Sequence, residues 1–334
     1  MANIALRNPQ YKFIAVPSSG VQSVECTITI NTVLRYTLVK NVSPSTGCNF
    51  DISELVRDYL DITYSSTYAV DTVLISTNLK NFSGLNGTGS QVGSTVNYTD
   101  VGWEAYGYFP EGSNPEVPFT VNHKYLLAAK YDERGTEWNI YVPTGVSGYV
   151  HYMTSAGVYS VSSYSGTDTQ VVNQGSNICY INRIDCTKYG AGRKITFINR
   201  YGVQQDLWFF LKEVTALNRT NEKYQSNTIQ YPDDEYAQYE INNAPNKLFN
   251  TQGKQMHTLS SGYYPEYTNQ FFEQLLLSEY VWMTRPKKEK PDVDETVPVT
   301  VKTSNMKFKT SVNDRLIEYT IDFEEAFDLI NNIR

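Results

Sequence analysis

Residues 25–30 read Glu25-Cys26-Thr27-Ile28-Thr29-Ile30, and after a short polar break the chain continues Leu34-Arg35-Tyr36-Thr37-Leu38-Val39. Cys26, Ile28 and Ile30 fall on every second position, so an extended backbone puts them on one face. Two such runs in succession predict half-buried antiparallel strands, and residues 11–40 hold three strand-like stretches of this kind. The run Phe50-Asp51-Ile52-Ser53-Glu54-Leu55-Val56-Arg57-Asp58-Tyr59-Leu60 changes period. Ile52, Leu55, Val56, Tyr59 and Leu60 sit at helical spacing, and Asp51 stands three residues before Glu54 as a cap. A short helix packed on the first sheet is expected there.

Further along, residues 69–76 read as a buried strand. Residues 81–100 are mostly Asn, Gly, Ser and Thr, with Gly84, Gly87, Gly89 and Gly93 in one stretch. A phosphate-cradling loop would end in Lys-Ser/Thr and open a helix. Neither is present, so an exposed mobile loop is the expectation. Pro110, Pro115 and Pro118 forbid a long helix after residue 102. Strands are expected at 124–131, 137–142, 148–153 and 157–164, spaced by Gly and Pro as in a sandwich or small barrel. Arg193–Asn199 and Leu207–Lys212 flank a turn at Arg200-Tyr201-Gly202. Residues 213–230 are β-compatible, and 231–262 are read as loops and short edge strands. Phe271, Leu275 and Trp282, widened by Phe272, Leu276, Tyr280 and Met283, predict a helix over 269–283, stopped by Pro286. Strands follow at 297–303, 306–312 and 316–323, and a short amphipathic helix closes the chain.

The expected fold is mainly β: two to three antiparallel β-sandwich or barrel-like domains, a few short helices and one longer helix near the C-terminus. The expected divisions are residues 1–65, with the first helix; 66–175, with the glycine-rich loop; and 176–334, with helix 269–283 and the last strands. Composition agrees. The 334 residues include 27 Tyr, 14 Phe and 4 Trp, and β-branched and aromatic residues favour strands. A formal charge of −7 argues against broad affinity for phosphate backbones.

Material for catalysis or metal binding is sparse. His123, His151 and His257 are scattered, and each is read as hydrogen-bonded or solvent-facing. Cys26, Cys48, Cys179 and Cys186 fit no zinc spacing and are expected as reduced thiols in or near cores. Asp233-Asp234-Glu235 lacks the spaced ligands of a calcium loop. Asp322, Glu324 and Glu325 are split across strand faces and are assigned to solvation. Ser304 and Lys307 match S-x-x-K without its companion motifs. The expectation is no enzyme, no cofactor and no metal. The N-terminus carries no basic start or apolar core, and no apolar run approaches a membrane span, so a cytosolic product without a membrane contact is expected.

Five segments carry a resemblance. They are Phe50–Tyr59, Tyr106-Gly107-Tyr108-Phe109-Pro110-Glu111-Gly112-Ser113-Asn114-Pro115, Ile195–Gly202 with Asp206, Leu275-Leu276-Leu277-Ser278-Glu279-Tyr280-Val281-Trp282, and Tyr319–Ala326 with the closing Ile330–Arg334. In that order they resemble segments of structural tail and ring proteins of Bacteroidetes podoviruses, the crAss-like phage group. Tyr201–Asp206 departs from the Gly-Gly-Trp-Asp turn of that group. The resemblance implies a virion protein assembled in the bacterial cytoplasm: a subunit of a six- or twelve-fold homo-oligomeric ring in the tail barrel below the portal. Its implied partners are other tail-ring, portal-proximal or tail-tip proteins, with viral DNA only in transit. The residues expected at interfaces are Trp103, Tyr106, Tyr108, Phe109, Phe271 and Trp282, because large interfaces absorb aromatic side chains. A tail adhesin or fibre-attachment protein binding host surface glycan is the alternative, since the aromatic loop at 103–109 could stack on sugars. A glycan hydrolase ranks last, for want of a carboxylate pair.

Overall fold

The face formed by Cys26, Ile28 and Ile30 becomes the inner face of a five-stranded sheet. The computed structural model describes residues 1–14, 19–42, 47–107, 124–127, 137–186, 192–230, 236–287, 290–310 and 315–330. In the first part, strands β1 (Ala2–Ala5), β2 (Tyr11–Ile14), β3 (Ser23–Ile30), β4 (Val33–Asn41) and β5 (Cys48–Asp51) precede helix α1 (Ser53–Arg57). Strands β6 (Thr72–Phe82) and β7 (Val96–Trp103) follow. The sheet order is β1-β7-β6-β3-β4, antiparallel except for β1 beside β7. Asn31 and Thr32, with φ of 48° and 70°, make the two-residue turn between β3 and β4. Left-handed turn residues match the natural twist of a hairpin. Val24, Cys26, Ile28, Val73, Ile75 and Leu79 pack beneath Phe50 of the two-stranded β2–β5 sheet and Val56 of α1.

Several expectations change here. Phe50 belongs to a strand, and α1 is shorter than the 50–60 run. Asp51 Oδ1 accepts from Ser53 N, Ser53 Oγ and Gln10 N, so it ties down the turn before α1, while the helix N-cap is Ile52. The loop expected at 81–100 contracts, because β6 runs to Phe82 and β7 starts at Val96. Its glycines keep left-handed φ at 87, 89 and 93. The loop is nevertheless pinned: Ser23 Oγ donates to Gly84 O at 2.6 Å and accepts from Gly87 N at 2.9 Å.

The middle of the chain forms two three-stranded sheets from β8 (Lys124–Tyr125), β9 (Glu137–Pro143), β10 (Gly148–Met153), β11 (Tyr159–Tyr164), β12 (Gln170–Gln174) and β13 (Asn177–Ile184). Their orders are β11-β10-β8 and β12-β13-β9. Tyr125, Trp138, Val150, Tyr164, Cys179 and Ile181 are buried in the same core. The divisions at 65/66 and 175/176 do not follow the sheets. β1 hydrogen-bonds to β7 across the first, and the second falls in the turn of the β12–β13 hairpin.

The last part holds β14 (Arg193–Ile198), β15 (Gln204–Phe209), β16 (Glu213–Gln225), β17 (Ile229–Gln230), β18 (Gln238–Tyr239), β19 (Asn246–Ser260) and β20 (Tyr264–Pro265). Helix α2 (Asn269–Leu277) and strands β21 (Val281–Pro286), β22 (Asp294–Val301), β23 (Leu316–Ile317) and β24 (Thr320–Glu325) complete it. Seven strands make one sheet, β15-β14-β21-β22-β24-β19-β16. Its two edge strands are consecutive in the chain. Between them, Phe210 N and Leu211 N donate to Ser261 O and Ser260 O, and Ser260 N donates to Lys212 O. The sheet therefore curls towards a closed barrel. Ile195, Phe197, Leu207, Phe209, Leu259, Met283, Ile321 and Phe323 fill the inside. Phe272 of α2 meets the rings of Phe209, Tyr264 and Tyr319 edge-on at 6.5, 5.7 and 5.0 Å. Burying one such ring is worth about 1.5–3 kcal/mol.

Here too the periods misled. The helix expected over 269–283 ends at Leu277, and Ser278 is extended. Val281–Pro286 is a strand bonded on both sides, by β14 and β22. Apolar residues at 281–283 fit either period, and two ladders of hydrogen bonds decide for the strand. Residues 246–260, expected as loop and short edge, form a fifteen-residue strand. Residues 302–310 carry no regular structure, against the strand expected at 306–312. The closing helix is absent from the described residues: β24 runs through Glu325, bends follow, and 331–334 lie outside the described residues.

Candidate functional site

Strands β16 and β19 pair in antiparallel fashion from Glu213 with Leu259 to Gln225 with Asn246. On its other side β19 is bonded to β24 only from Met256 to Ser260. The rest of the pair leaves the barrel as a two-stranded ribbon. At about 3.3 Å per residue, Asn246–Gln255 spans roughly 30 Å. From Val214 onward every residue of β16 is exposed, whichever face it occupies. Leu217 is 62% exposed, and Val214, Tyr224, Leu248 and Phe249 are exposed as well. Tyr224 and Phe249 meet edge-on at 5.7 Å. Beyond them Ile229, Tyr236 and Ile241 stand in solvent, Ile241 at 90%. A register shift between Thr220 and Glu222 kinks the ribbon. At the kink lies a polar cleft of about 600 Å³, lined among others by Asn218, Arg219, Asn250, Gln252, Lys254 and Asp328.

A two-stranded ribbon with neither face covered is marginal alone, and a long open edge strand is a template for further pairing. Exposed apolar side chains on such an element are those an interface buries. The arrangement fits a contact element better than a reaction site.

The base of the ribbon carries a row of charges inside the barrel mouth. His257, on β19, is 2% exposed. Its Nδ1 lies 2.9 Å from Glu213 Oε1 on β16, and its Nε2 lies 3.2 Å from Glu325 Oε1 on β24. Arg193 of β14 donates to Glu213 Oε2 at 2.5 Å. Arg285 of β21 sits 3.0 Å from Glu325 and 3.2 Å from Glu295 of β22. Burial opposes a charged ring at His257, but the hydrogen bonds and charges of Glu213 and Glu325 outweigh it and raise the pKa. The bond to His257, with Arg193 behind it, lowers that of Glu213. The two ring nitrogens face different carboxylates, so the groups do not converge on a metal position. No cluster among the described residues does.

Two further clusters staple the parts together. Arg57 Nε, at the end of α1, lies 3.1 and 3.0 Å from the two oxygens of buried Glu104, and its Nη2 is 2.6 Å from Glu279. Arg7 joins the same two carboxylates. The bond to Glu104 is the main reason the Arg57 pKa is raised. On the barrel's outer face Tyr68 donates to Asp206, which also accepts from Thr196 Oγ1 at 2.6 Å. Burial first, then Asp206, raises the Tyr68 pKa. Beside it His151 Nδ1 is 2.8 Å from the Tyr159 hydroxyl, and burial pushes the ring down to about 3.

The six aromatics expected at interfaces do not form one patch. Trp103 is buried and donates from Nε1 to Asn3 Oδ1 at 3.0 Å. Phe271 is inside the core under α2. Trp282 is buried on β21, against Tyr64 and Tyr280. Tyr106 lies between the guanidiniums of Arg7 and Arg200, 5.7 and 5.9 Å from its ring. Tyr108 and Phe109 lie outside the described residues, as do His123 and Asp233-Asp234-Glu235. The chain's own packing therefore takes up Trp103, Phe271 and Trp282. Glu324 and Glu325 are buried and ion-paired rather than solvated, Glu324 with Lys302 and Lys254. The four cysteines are unpaired, and Cys26, Cys48 and Cys179 are buried. Among the described residues no helix is long and apolar enough to cross a membrane. Comparisons with models of protein families, with curated proteins and with solved structures each found no match.

Sequence reading missed the ribbon and the His257 row. The available signal for the ribbon was two β-compatible runs, 213–225 and 246–260, on either side of a Pro- and Asn-rich middle.

Proposed function

We propose that the chain is a structural subunit of a phage virion, one copy in an oligomeric ring of the tail barrel, and that the β16–β19 ribbon is its contact element. The observation that supports this reading is the ribbon itself, roughly 30 Å of paired backbone that leaves Val214, Leu217, Tyr224, Leu248 and Phe249 exposed. A closed ring needs heterologous contacts, in which one patch meets a different patch on the neighbour. A projecting ribbon that docks on the body of the next subunit makes such a contact and covers its own open edge. The aromatic segments that resemble crAss-like tail proteins carry the family part of the proposal; neighbouring ring, portal-proximal or tail-tip proteins are its axial partners, and DNA passes only in transit.

The test is the copy number of this chain in purified particles, by quantitative mass spectrometry against the major capsid protein. Six or twelve copies are expected. Three copies would point to a peripheral adhesin, and absence from particles overturns the virion role.

A further inference from the structure

We propose that His257 is a pH-sensitive latch that fixes the base of the ribbon to the barrel. The geometry carries this. His257 is the one residue through which β19 meets both neighbours by charge: Glu213 on β16 and Glu325 on β24. A protonated ring donates from both nitrogens and satisfies both carboxylates. A neutral ring has one N–H and one lone pair, so one of the two carboxylates then faces a lone pair inside the barrel mouth. Among the described residues, the charged groups facing this position from the packed strands are Glu213 (β16), Glu325 (β24), Arg193 (β14), Arg285 (β21) and Glu295 (β22). With the ring protonated these six groups sum to zero. With it neutral they sum to one net negative charge in a partly buried row. Arg193 and Arg285 hold the carboxylates in place either way, so the contact that pH removes is the one between the ribbon strands and the ring. The sign follows from the bonds made. The folded state favours the charged ring, so the latch is closed below the ring's ordinary titration range and opens as pH rises through its raised value. The lower limit is set by Glu213, held ionised below the usual carboxylate range. The inference concerns the isolated chain and holds whatever the ribbon docks against.

The experiment is hydrogen–deuterium exchange of the full chain between about pH 6 and pH 9, corrected for intrinsic exchange, with His257→Gln alongside. Peptides covering 213–217 and 255–260 are the readout, and 24–30 of β3 is the internal control. In the wild type, protection of the ribbon base is expected to be lost, relative to the control, as pH rises across this range. In H257Q it is expected to be lower at pH 6 and flat with pH. Equal pH dependence in H257Q, or constant protection in the wild type, overturns the latch. Should H257Q fail to fold, the wild-type ring titration by NMR decides: a midpoint that differs from that of the exchange transition overturns it, and a shared midpoint supports it.

Discussion

Arg193 Nε on β14 lies 2.5 Å from Glu213 Oε2 at the start of β16, although four strands stand between β14 and β16 in the sheet order. Only a curled sheet brings them together, so the pair reports closure of the barrel. Replacing Arg193 by Met removes a charge-assisted bond from a partly exposed position. A loss of about 1–2 kcal/mol is expected, in the lower part of the range for such bonds because water screens the pair. Glu213→Gln should cost more, because Glu213 also holds His257. Urea unfolding of both variants and of the double variant measures this; strictly additive losses would show that the pair is not coupled.

The two described histidines pull stability in opposite directions with pH. His257 has a raised folded pKa, so its contribution is complete below about pH 6.5, the unfolded value, and is lost as pH climbs through the folded value. His151 is pushed down to about 3 by burial. Its contribution is complete above about pH 6.5 and is lost as pH falls, because the unfolded chain takes up a proton that the fold refuses. Over that acid range the loss is on the order of a few kcal/mol. His151→Phe should flatten the acid limb of the stability–pH curve and His257→Gln the alkaline limb. An unchanged acid limb in H151F would rule out His151 as its source.

Glu104 is 2% exposed and receives Arg57 and Arg7, while both arginines continue to Glu279 just beyond α2. The cluster binds the first sheet to the helix that caps the barrel. Glu104→Gln leaves two guanidiniums facing a neutral amide, and breaking one partner out of a buried pair costs about 3–5 kcal/mol. Glu279→Gln is half exposed at its side chain and should cost under about 1 kcal/mol. Thermal unfolding of the two variants is the check; equal shifts would mean that burial of Glu104 is not what matters.

The parts that were legible in the sequence are those where one face is wet and the other dry. Cys26, Ile28 and Ile30 alternate with Glu25, Thr27 and Thr29, and the sheet keeps that alternation as buried and half-buried positions. Helix α2 was legible through Phe271 and Leu275, but Trp282 fits helical and strand periods alike, and hydrogen bonds from β14 and β22 settle it. The ribbon could not be read by periodicity, since a strand exposed on both faces has no apolar period to show. The His257 row was hidden for another reason. Glu213 and Glu325 stand 44 and 68 residues away along the chain, and only the pairing of β19 with β16 and β24 makes them neighbours of His257. Glu324 and Glu325 read as solvated for the same cause.

The ribbon gives the sharpest division between stability and assembly. Near its base Leu329 N donates to Gly253 O; beyond that the two strands pair with each other, so removing the outer part should leave the barrel intact. Thr220 and Gln252 are cross-strand partners, and joining them through an Asn-Gly turn, which suits a tight hairpin, deletes the exposed part and keeps Gly253. The shortened chain is expected to unfold within about 1 kcal/mol of the wild type, as surface changes away from packed features do. It is also expected to stay monomeric where the full chain assembles, by analytical ultracentrifugation. A gentler variant, Leu248→Ser with Phe249→Ser, keeps the backbone and removes two exposed apolar side chains. It should weaken association and leave unfolding unchanged. If the shortened chain still forms the full-size assembly, the contact element lies elsewhere on the molecule; if it loses several kcal/mol, the ribbon belongs to the core.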